Sequence, residues 1–175
     1  LDIDPGLGTL ELTSNGYHDI FMLKLNSAGD LVWANSIGGA DDDLAESVQL
    51  DAGENVYITG SYAATTDFDP GAGISEMTAE SATDAFILKL SNTGTYDWAR
   101  TISNGEDADY GKSSVIDAEG YIYTTGTFNS TSDFDPSSGT AYLTSNGGRD
   151  FFIQKMDSHG NFVWAHNLGG YGMDE

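Results

Sequence analysis

The stretch that decides the fold is residues 19–34, which read DIFMLKLNSAGDLVWA. The same pattern of Asp, Phe, Lys, Gly, Trp and Ala returns as DAFILKLSNTGTYDWA at 84–99 and as DFFIQKMDSHGNFVWA at 150–165. The steps between copies are 65 residues, from position 19 to 84, and 66 residues, from 84 to 150. A fixed period of this length predicts a repeat protein, so the functional question concerns a repeated surface instead of one unique active site.

A second phrase follows the same period. It reads DIDP at residues 2–5, and DFDP at 67–70 and 133–136. The repeats divide the chain into the tail of a preceding repeat at 1–18, repeats at 19–83 and 84–149, and the start of an incomplete repeat at 150–175. Because the chain begins and ends within a repeat and lacks an initiator Met, we expect it to be processed, or to be a segment of a longer protein.

Strand signals fill each repeat. In the first complete repeat, apolar segments separated by Asn, Asp and Gly turns predict strands at 20–25, 31–37, 45–50 and 55–62, with a short outer strand at 74–78. Four or five antiparallel strands per repeat, without a helical period, predict an all-β fold of propeller-like blades. Propellers close with about four to eight blades, so neighbouring chains are expected to complete the sheets if this segment is the whole protein.

Two further phrases, DAGENVYITG at 51–60 and DAEGYIYTTG at 117–126, accompany the Asp-x-Phe-x-x-Lys phrases and the glycine pairs Gly38-Gly39 and Gly169-Gly170. Together these phrases resemble the bacterial SBBP-type β-propeller repeat. The resemblance implies a secreted or surface-attached bacterial protein with a propeller fold and no defined catalytic activity. The middle copy departs from the pattern, because residues 103–105 read SNG where the glycine pair is expected.

The composition limits the classes of partner. The chain has 28 acidic and 6 basic residues and a net charge of −22, so nucleic acid and anionic membranes are excluded because both need a positive surface. No apolar run approaches the roughly 20 residues that span a bilayer, so membrane insertion is not expected. Without cysteine, neither a disulfide framework nor a zinc–thiolate site is available.

The loops that carry the DIDP and DFDP phrases are the strongest candidate site. Carboxylates at positions i and i+2, with backbone carbonyls nearby, suit the oxygen coordination of calcium. The alternative is a structural Asx-turn, in which each Asp accepts backbone N–H bonds. The candidate calcium ligands are Asp2, Asp4, Asp67, Asp69, Asp133 and Asp135.

A second acidic loop follows the Trp strand and is less regular between copies. We predict that it forms a solvated cluster of charges. Its members are Asp41, Asp42 and Asp43 in the first copy, Glu106, Asp107 and Asp109 in the second, and Asp174 and Glu175 in the third.

Lysine and tryptophan also recur at fixed repeat positions. The lysines lie mid-strand between apolar neighbours, so we expect each to extend to solvent or to pair with an Asp of its own or the adjacent blade. The tryptophans are expected to pack between blades, with stacking on sugars as the alternative. These residues are Lys24, Lys89 and Lys155, and Trp33, Trp98 and Trp164.

Catalytic signatures are absent from the sequence. Neither the Gly-x-Ser-x-Gly nor the His-Glu-x-x-His pattern occurs, and residues 105–113 lack the spacing of a phosphate-binding loop. His18, His159 and His166 fall at different repeat positions and do not form a repeated ligand set. The triplet Asn129-Ser130-Thr131 predicts a glycosylation site in a Ser/Thr-rich loop.

These observations predict a non-enzymatic structural or adhesive protein, extracellular or at the bacterial cell surface. Its partners would be copies of itself, in a homo-oligomer or a filament joined through blade edges. One alternative is a carbohydrate-binding, lectin-like propeller that takes glycans. The other is an accessory propeller domain of a larger secreted protein.

Overall fold

The computed structural model describes residues 2–103 and 107–174, and these residues form strands and loops without a helix. The all-β fold predicted from the sequence is confirmed. The strands are β1 Ile20–Leu25, β2 Leu31–Gly39, β3 Leu44–Leu50, β4 Val56–Tyr62, β5 Thr65–Asp67, β6 Glu76–Thr78, β7 Asp84–Leu90, β8 Tyr96–Ile102, β9 Tyr110–Ile116, β10 Ile122–Phe128, β11 Thr131–Asp133, β12 Tyr142–Thr144, β13 Asp150–Met156 and β14 Phe162–Leu168.

The strands form three four-stranded antiparallel sheets, which we call blades. The first blade has the strand order β1-β2-β5-β6, the second β3-β4-β7-β8, and the third β9-β10-β13-β14. The hairpin β11–β12 meets the end of the second blade through a bridge between Ser103 and Asp133, as β5 meets β2 in the first blade. Neighbouring blades pack face to face, with β3 against β9.

The second and third blades each take strands from two successive sequence repeats. In the second blade, β4 belongs to residues 19–83 and pairs with β7 from residues 84–149, from Val56 opposite Leu90 to Tyr62 opposite Asp84. The third blade pairs β10 with β13 in the same way. The sequence repeat and the sheet are therefore out of phase by two strands.

The strands predicted for the first complete repeat are observed as β1 to β4, with ends that differ by at most two residues. The predicted outer strand at 74–78 is β6. Strand β5 was not predicted, because Thr-Thr-Asp is short and polar. The turns of the β1–β2, β7–β8 and β13–β14 hairpins contain glycines at positive φ, which are Gly29 at +87°, Gly94 at +80° and Gly160 at +74°.

Trios of buried aromatic rings anchor the DFDP loops to the blades. The ring of Phe68 lies 5.2 Å from that of Tyr62 and 5.0 Å from that of Phe86, between ring centroids. Burial of these rings fixes the loop against the sheet and places its carboxylates at the blade end. The equivalent trio consists of Phe128, Phe134 and Phe152 and has the same two spacings from its central ring, 5.2 and 5.0 Å.

Candidate functional site

The DFDP loops are held by hydrogen bonds from backbone N–H groups to their own carboxylates. Asp67 Oδ1 accepts N–H bonds from Asp69, at 3.0 Å, and from Ser75, at 2.8 Å. Asp69 Oδ1 accepts a bond from the N–H of Gly71, at 2.8 Å. These contacts form the Asx-turn that the sequence left as an alternative. The equivalent carboxylates accept equivalent bonds in the other copies and belong to Asp2, Asp4, Asp133 and Asp135.

Each of these loops supplies two carboxylates to a potential metal site. A Cβ on Gly73 would overlap Asp69 Oδ2, so glycine lets this carboxylate lie close to the backbone. Within residues 2–103 and 107–174, no group of three or more acidic or histidine side chains could hold a metal ion. Calcium would therefore need backbone carbonyls and water to complete its shell, and calcium binding by these loops stays a prediction.

The second acidic loop is not a solvated cluster throughout, and that prediction is wrong for Asp43 and Asp109. Asp43 is 1% exposed, and its carboxylate accepts bonds from the N–H of Gly39 and the hydroxyl of Thr66, both at 2.7 Å. The carboxylate joins the start of β3 to the end of β2 and to β5. Hydrogen bonding from these neighbours compensates its removal from water. Asp41 and Asp42 are exposed as predicted, and Glu106 and Glu175 lie outside the described residues.

Asp109 occupies the equivalent position before β9 and is fully buried. Its carboxylate accepts bonds from the N–H of Asn129, at 3.3 Å, and from the hydroxyl of Ser132, at 3.1 Å. The pKa of Asp109 is raised to about 7, chiefly by burial, with a smaller contribution from the charges of Asp84 and Asp107. The same cause raises the pKa of Asp43 above its ordinary value.

The Asp that opens each Asp-x-Phe phrase is a structural acid whose role was not recognised from the sequence. Asp84 is fully buried and accepts the N–H of Glu80 at 2.9 Å, and burial raises the pKa of its carboxyl. Asp150 is also fully buried and accepts the N–H of Asn146 at 2.9 Å. A Cβ on Gly169 would overlap the Asp150 carboxylate, which explains the first glycine of the pair. This Asp recurs in all three copies of the phrase, and that recurrence was the signal in the sequence that could have revealed its structural role.

Two of the three repeated lysines form ion pairs, and the third, Lys155, lies with its Nζ over the rings of Tyr121 and Tyr123. Lys24 Nζ lies 2.8 Å from a carboxylate oxygen of Glu54 in the next blade. Lys89 Nζ lies 2.9 Å from Asp97 on the paired strand of its own blade. The predicted pairing is confirmed for Lys89, and Lys24 uses Glu in place of Asp.

Trp33 and Trp98 pack between blades, as predicted. The Trp33 indole N–H donates to the carbonyl oxygen of Asn92 at 3.1 Å, and that of Trp98 donates to Ser158 at 3.3 Å. Each acceptor lies in the hairpin turn of the next blade. Because Trp98 is only 6% exposed, its ring offers no face for a sugar.

The predicted glycosylation site lies where a loop enters β11. Asn129 is half-buried, and its side-chain oxygen accepts the N–H of Ser130 at 3.0 Å. Its backbone N–H donates to Asp109, so this position also supports the buried acid. Glycosylation of Asn129 stays a prediction.

An open cleft of about 830 Å³ lies between β1 and β3. Its apolar lining includes Phe21 and Leu23 on β1 and Val48 and Leu50 on β3. Among the described residues, β1 pairs with β2 alone, whereas β7 and β13 are paired along both edges. The cleft is therefore the place where a pair of strands equivalent to β3 and β4 would complete the first blade.

Comparison with known proteins finds no matching protein-family model. The chain is 29% identical over 180 residues to the "Uncharacterized WD repeat-containing protein L264" of Acanthamoeba polyphaga mimivirus, covering 95% of this chain and 13% of that protein. It is 27% identical over 146 residues to the "Regulatory protein FlaEY" of Caulobacter vibrioides, covering 83% of this chain and 15% of that protein. The chain thus spans a small part of these longer relatives.

Similarity to a WD repeat protein agrees with the observed architecture, because WD repeats form the four-stranded blades of β-propellers. This chain is a propeller-like repeat protein. None of its described residues forms a helix of the length and hydropathy needed to cross a bilayer.

Proposed function

We propose that this propeller-like chain is a non-enzymatic structural or adhesive module of a secreted or surface-attached bacterial protein. In this proposal it assembles with copies of itself through its incompletely covered first blade. The resemblance of residues 51–60 and 117–126 to the SBBP-type repeat supports the extracellular setting. The open edge of β1 is the observation that carries the self-assembly.

An open strand edge presents unpaired backbone N–H and C=O groups, and it is a template for adding another strand. In the second blade, β7 is paired with β4 from end to end, from Asp84 opposite Tyr62 to Leu90 opposite Val56. The equivalent edge of β1 has no partner among the described residues, and apolar side chains line the cleft beside it. Association with a second molecule would cover both the edge and the apolar surface.

A structural role also fits the carboxylates whose pKa values are raised. A raised pKa in an open cleft would suggest acid–base chemistry. Asp84 and Asp109 are instead fully buried and accept hydrogen bonds from neighbouring parts of the chain. A substrate would not reach either carboxylate without local unfolding, so we infer that both acids stabilise the blade ends.

We further propose that the DFDP loops bind calcium and thereby stiffen the blade ends. The test is calorimetric titration with calcium, together with thermal melts, on the wild type and on a variant with Asp69→Asn and Asp135→Asn. Heat release and a higher Tm are expected for the wild type and not for the variant. The exposed substitution Asp41→Asn is the matched control and should behave as the wild type. Absence of any response to millimolar calcium would show that the loops are purely structural turns.

Electron microscopy of the purified chain, with calcium and after chelation, tests the assembly itself. We expect extended filaments, in line with a structural role. Loss of the filaments on chelation would indicate that calcium in the DFDP loops supports the assembly. Isolated particles under both conditions would contradict self-assembly.

A second candidate function is an accessory propeller domain within a longer protein. The observation that favours it is the length of the relatives, of which this chain covers only 13% and 15%. Isolated particles in the micrographs would favour this candidate, and glycans would then be the first ligands to screen. Binding of a glycan that leaves the assembly unchanged would favour this function over the structural one.

A further inference from the structure

The glycine pair that follows the Trp strand contacts two carboxylates, one through each glycine. A Cβ on Gly38 would overlap Cγ of Asp19, so glycine makes room for this carboxylate. The N–H of Gly39 donates to Asp43 Oδ2 at 2.7 Å. In the third copy, Gly169 makes room for Asp150 and the N–H of Gly170 donates to Asp174 Oδ2 at 2.8 Å. We call these places the Asp19–Asp43 site and the Asp150–Asp174 site.

The two carboxylates of each site lie at the same end of a blade. The backbone N–H of Asp43 donates to the carbonyl oxygen of His18, which precedes Asp19, at 2.7 Å. In the same way, the N–H of Asp174 donates to Arg149, which precedes Asp150, at 2.8 Å. Burial chiefly, and the charge of Asp19 in addition, raise the pKa of the Asp43 carboxyl, so these two groups interact.

One carboxylate oxygen in each site is buried and has no hydrogen-bond partner among the described residues. These atoms are Asp19 Oδ1 and Asp150 Oδ1, and Asp150 as a whole is fully buried. The Oδ2 atom of each accepts the N–H of the residue four positions earlier, Asn15 at 2.6 Å and Asn146 at 2.9 Å. An unpaired buried carboxylate oxygen costs free energy, so a ligand that compensates its charge is expected at this point.

The middle copy satisfies the same oxygen with a hydroxyl group. Ser81 donates to Asp84 Oδ1 at 2.9 Å. The residues equivalent to Ser81 are Gly16 and Gly147, which have no side chain to offer. Ser103 also stands in the middle copy where the others have the first glycine of the pair. Both serines therefore occur in the copy whose carboxylate has a partner, and both glycines occur in the copies whose carboxylate lacks one.

Backbone carbonyl oxygens occupy the space beside Gly16 and Gly147. A Cβ on Gly16 would overlap the carbonyl oxygen of Ala40, and a Cβ on Gly147 would lie 2.6 Å from that of Tyr171. Ala40 and Tyr171 hold the same repeat position, two residues after the first glycine of the pair. In these two copies a carbonyl oxygen thus lies beside the position from which Ser81 reaches its carboxylate in the middle copy.

Neighbouring strands do not supply the missing partner. Asp150 lies opposite Phe128 in the pairing of β13 with β10, and its Oδ1 still has no partner among the described residues. At the Asp19–Asp43 site the following hairpin is in place, because Thr66 donates to Asp43 Oδ1 at 2.7 Å. The preceding strand at one site and the following hairpin at the other both leave the oxygen unpaired.

Basic side chains do not neutralise the two sites within residues 2–103 and 107–174. None of the ion pairs in this part of the chain includes a carboxylate of either site. His18 Nδ1 lies 2.6 Å from Asp42, and the Arg149 guanidinium lies 4.9 Å from the centre of the Tyr110 ring. Buried carboxylates need a partner of opposite charge, and a cation from solution supplies one.

We propose that the Asp19–Asp43 site and the Asp150–Asp174 site each bind one calcium ion. Calcium takes six to eight oxygen ligands, and here the paired carboxylates, the carbonyl oxygen of Ala40 or Tyr171, and water provide them. The middle copy binds none, because Ser81 already pairs with its carboxylate. At the first site, calcium links the start of β1 to the start of β3, and so joins the first blade to the second. These sites are separate from the DFDP loops, and the proposal does not depend on self-assembly.

Calorimetric titration and thermal melts with calcium test the proposal. The background variant carries Asp4→Asn, Asp69→Asn and Asp135→Asn, which disable the DFDP loops. It should still bind calcium, with a Kd of about 1 mM or lower and a rise in Tm. Adding Asp19→Asn and Asp150→Asn should weaken binding at least about ten-fold, because each change removes a ligand charge. Adding Asp84→Asn instead is the matched control in the middle copy and should leave the calcium response unchanged.

Two results would overturn the proposal. One is a background variant that shows neither heat nor a rise in Tm up to about 10 mM calcium, which would leave any response of the wild type to the DFDP loops. The other is an equal loss of binding with Asp84→Asn. Circular dichroism verifies the fold of each variant. If the first pair of substitutions prevents folding, Asp43→Asn with Asp174→Asn removes the other carboxylate of each site and should give the same loss.

Discussion

Asp43 is buried at the start of β3, although Asp41 and Asp42 just before it are exposed. The three residues have the same chemistry and differ in their position relative to the sheet. Only the last one reaches the N–H of Gly39 and the hydroxyl of Thr66, which replace the water it loses. At this scale, hydrogen-bond donors from the folded chain decide whether an acidic residue is solvated or structural.

Asp109 should make stability depend on pH near neutrality. Its pKa of about 7 in the folded protein exceeds the ordinary value of 3.8, so the folded state binds the proton more tightly. Its stabilising contribution is therefore complete below about pH 4 and is lost as the pH rises through about 7, a change of at most about 4 kcal/mol. Urea unfolding of the wild type and Asp109→Asn at about pH 5 and about pH 8 measures it. A difference between the two proteins that stays constant with pH would contradict the assignment.

Gly160 should be more sensitive to substitution than another glycine of similar backbone conformation. Gly160→Ala introduces a Cβ 3.1 Å from Trp98 Cδ2, in addition to strain at a φ of +74°. Gly120→Ala introduces similar strain at a φ of +85° but only an ordinary contact. We expect Gly160→Ala to lower the free energy of unfolding by about 1–3 kcal/mol more than the control. Equal losses in urea titrations would show that the ring contact is unimportant.

The fold is built from β-hairpins. Hairpins from successive sequence repeats pair with each other, and this pairing determines which hairpins share a blade. Strand β4 pairs with β7 and β10 pairs with β13, so each of these blades joins residues of two sequence periods. The segment between the paired strands forms a short hairpin, β5–β6 or β11–β12, which extends the preceding blade. Consecutive blades are therefore linked both by packing of their faces and by these hairpins.

The pairing of β10 with β13 can be tested by an engineered disulfide. Thr125 lies opposite Ile153 in the register of these strands, at a separation suited to a disulfide, and the chain has no native cysteine. We expect Thr125→Cys with Ile153→Cys to oxidise readily, as measured by thiol titration and mass spectrometry. Met22→Cys with Thr125→Cys is the control, because Met22 holds the position equivalent to Ile153 in the first blade. Efficient cross-linking of the control pair would contradict the blade assignment.

The sequence predicts where the strands lie better than it predicts which strands pair with each other. Alternating or apolar segments and turn glycines locate β1 to β4 within two residues. A repeat period, however, has no fixed starting point, so it does not reveal that β4 pairs with β7. The acidic sites were only partly predictable for a similar reason. Asp67 and Asp69 stand out by their spacing, whereas burial of Asp84 depends on the fold around it.

The whole molecule combines a strong net charge with an open apolar cleft between β1 and β3. The charge of −22 is spread over a chain with only 6 basic residues, so like copies repel one another over long distances. In the proposed assembly, burial of the apolar side chains that line the cleft between β1 and β3 gives a short-range attraction that opposes the repulsion. The balance between the two determines whether the chain associates.

Salt should therefore strengthen association. The Debye length falls from about 30 Å at 0.01 M to about 10 Å at 0.1 M salt, which screens repulsion between acidic molecules while leaving apolar contacts intact. Sedimentation at these salt concentrations should give an association constant that rises with salt, without a change in the monomer's circular dichroism. An association constant that falls with salt would mean that ion pairs drive the contact.

Blades formed across sequence repeats stack by placing a Trp on a glycine of the next blade. Nuclear Overhauser spectroscopy of the dilute chain tests it directly, because the sequence has only 3 Trp residues. We expect cross-peaks from the Trp33 ring to the α-protons of Gly94 and from the Trp98 ring to those of Gly160. Cross-peaks that instead join Trp33 to Gly29 and Trp98 to Gly94, within the same hairpins, would contradict it.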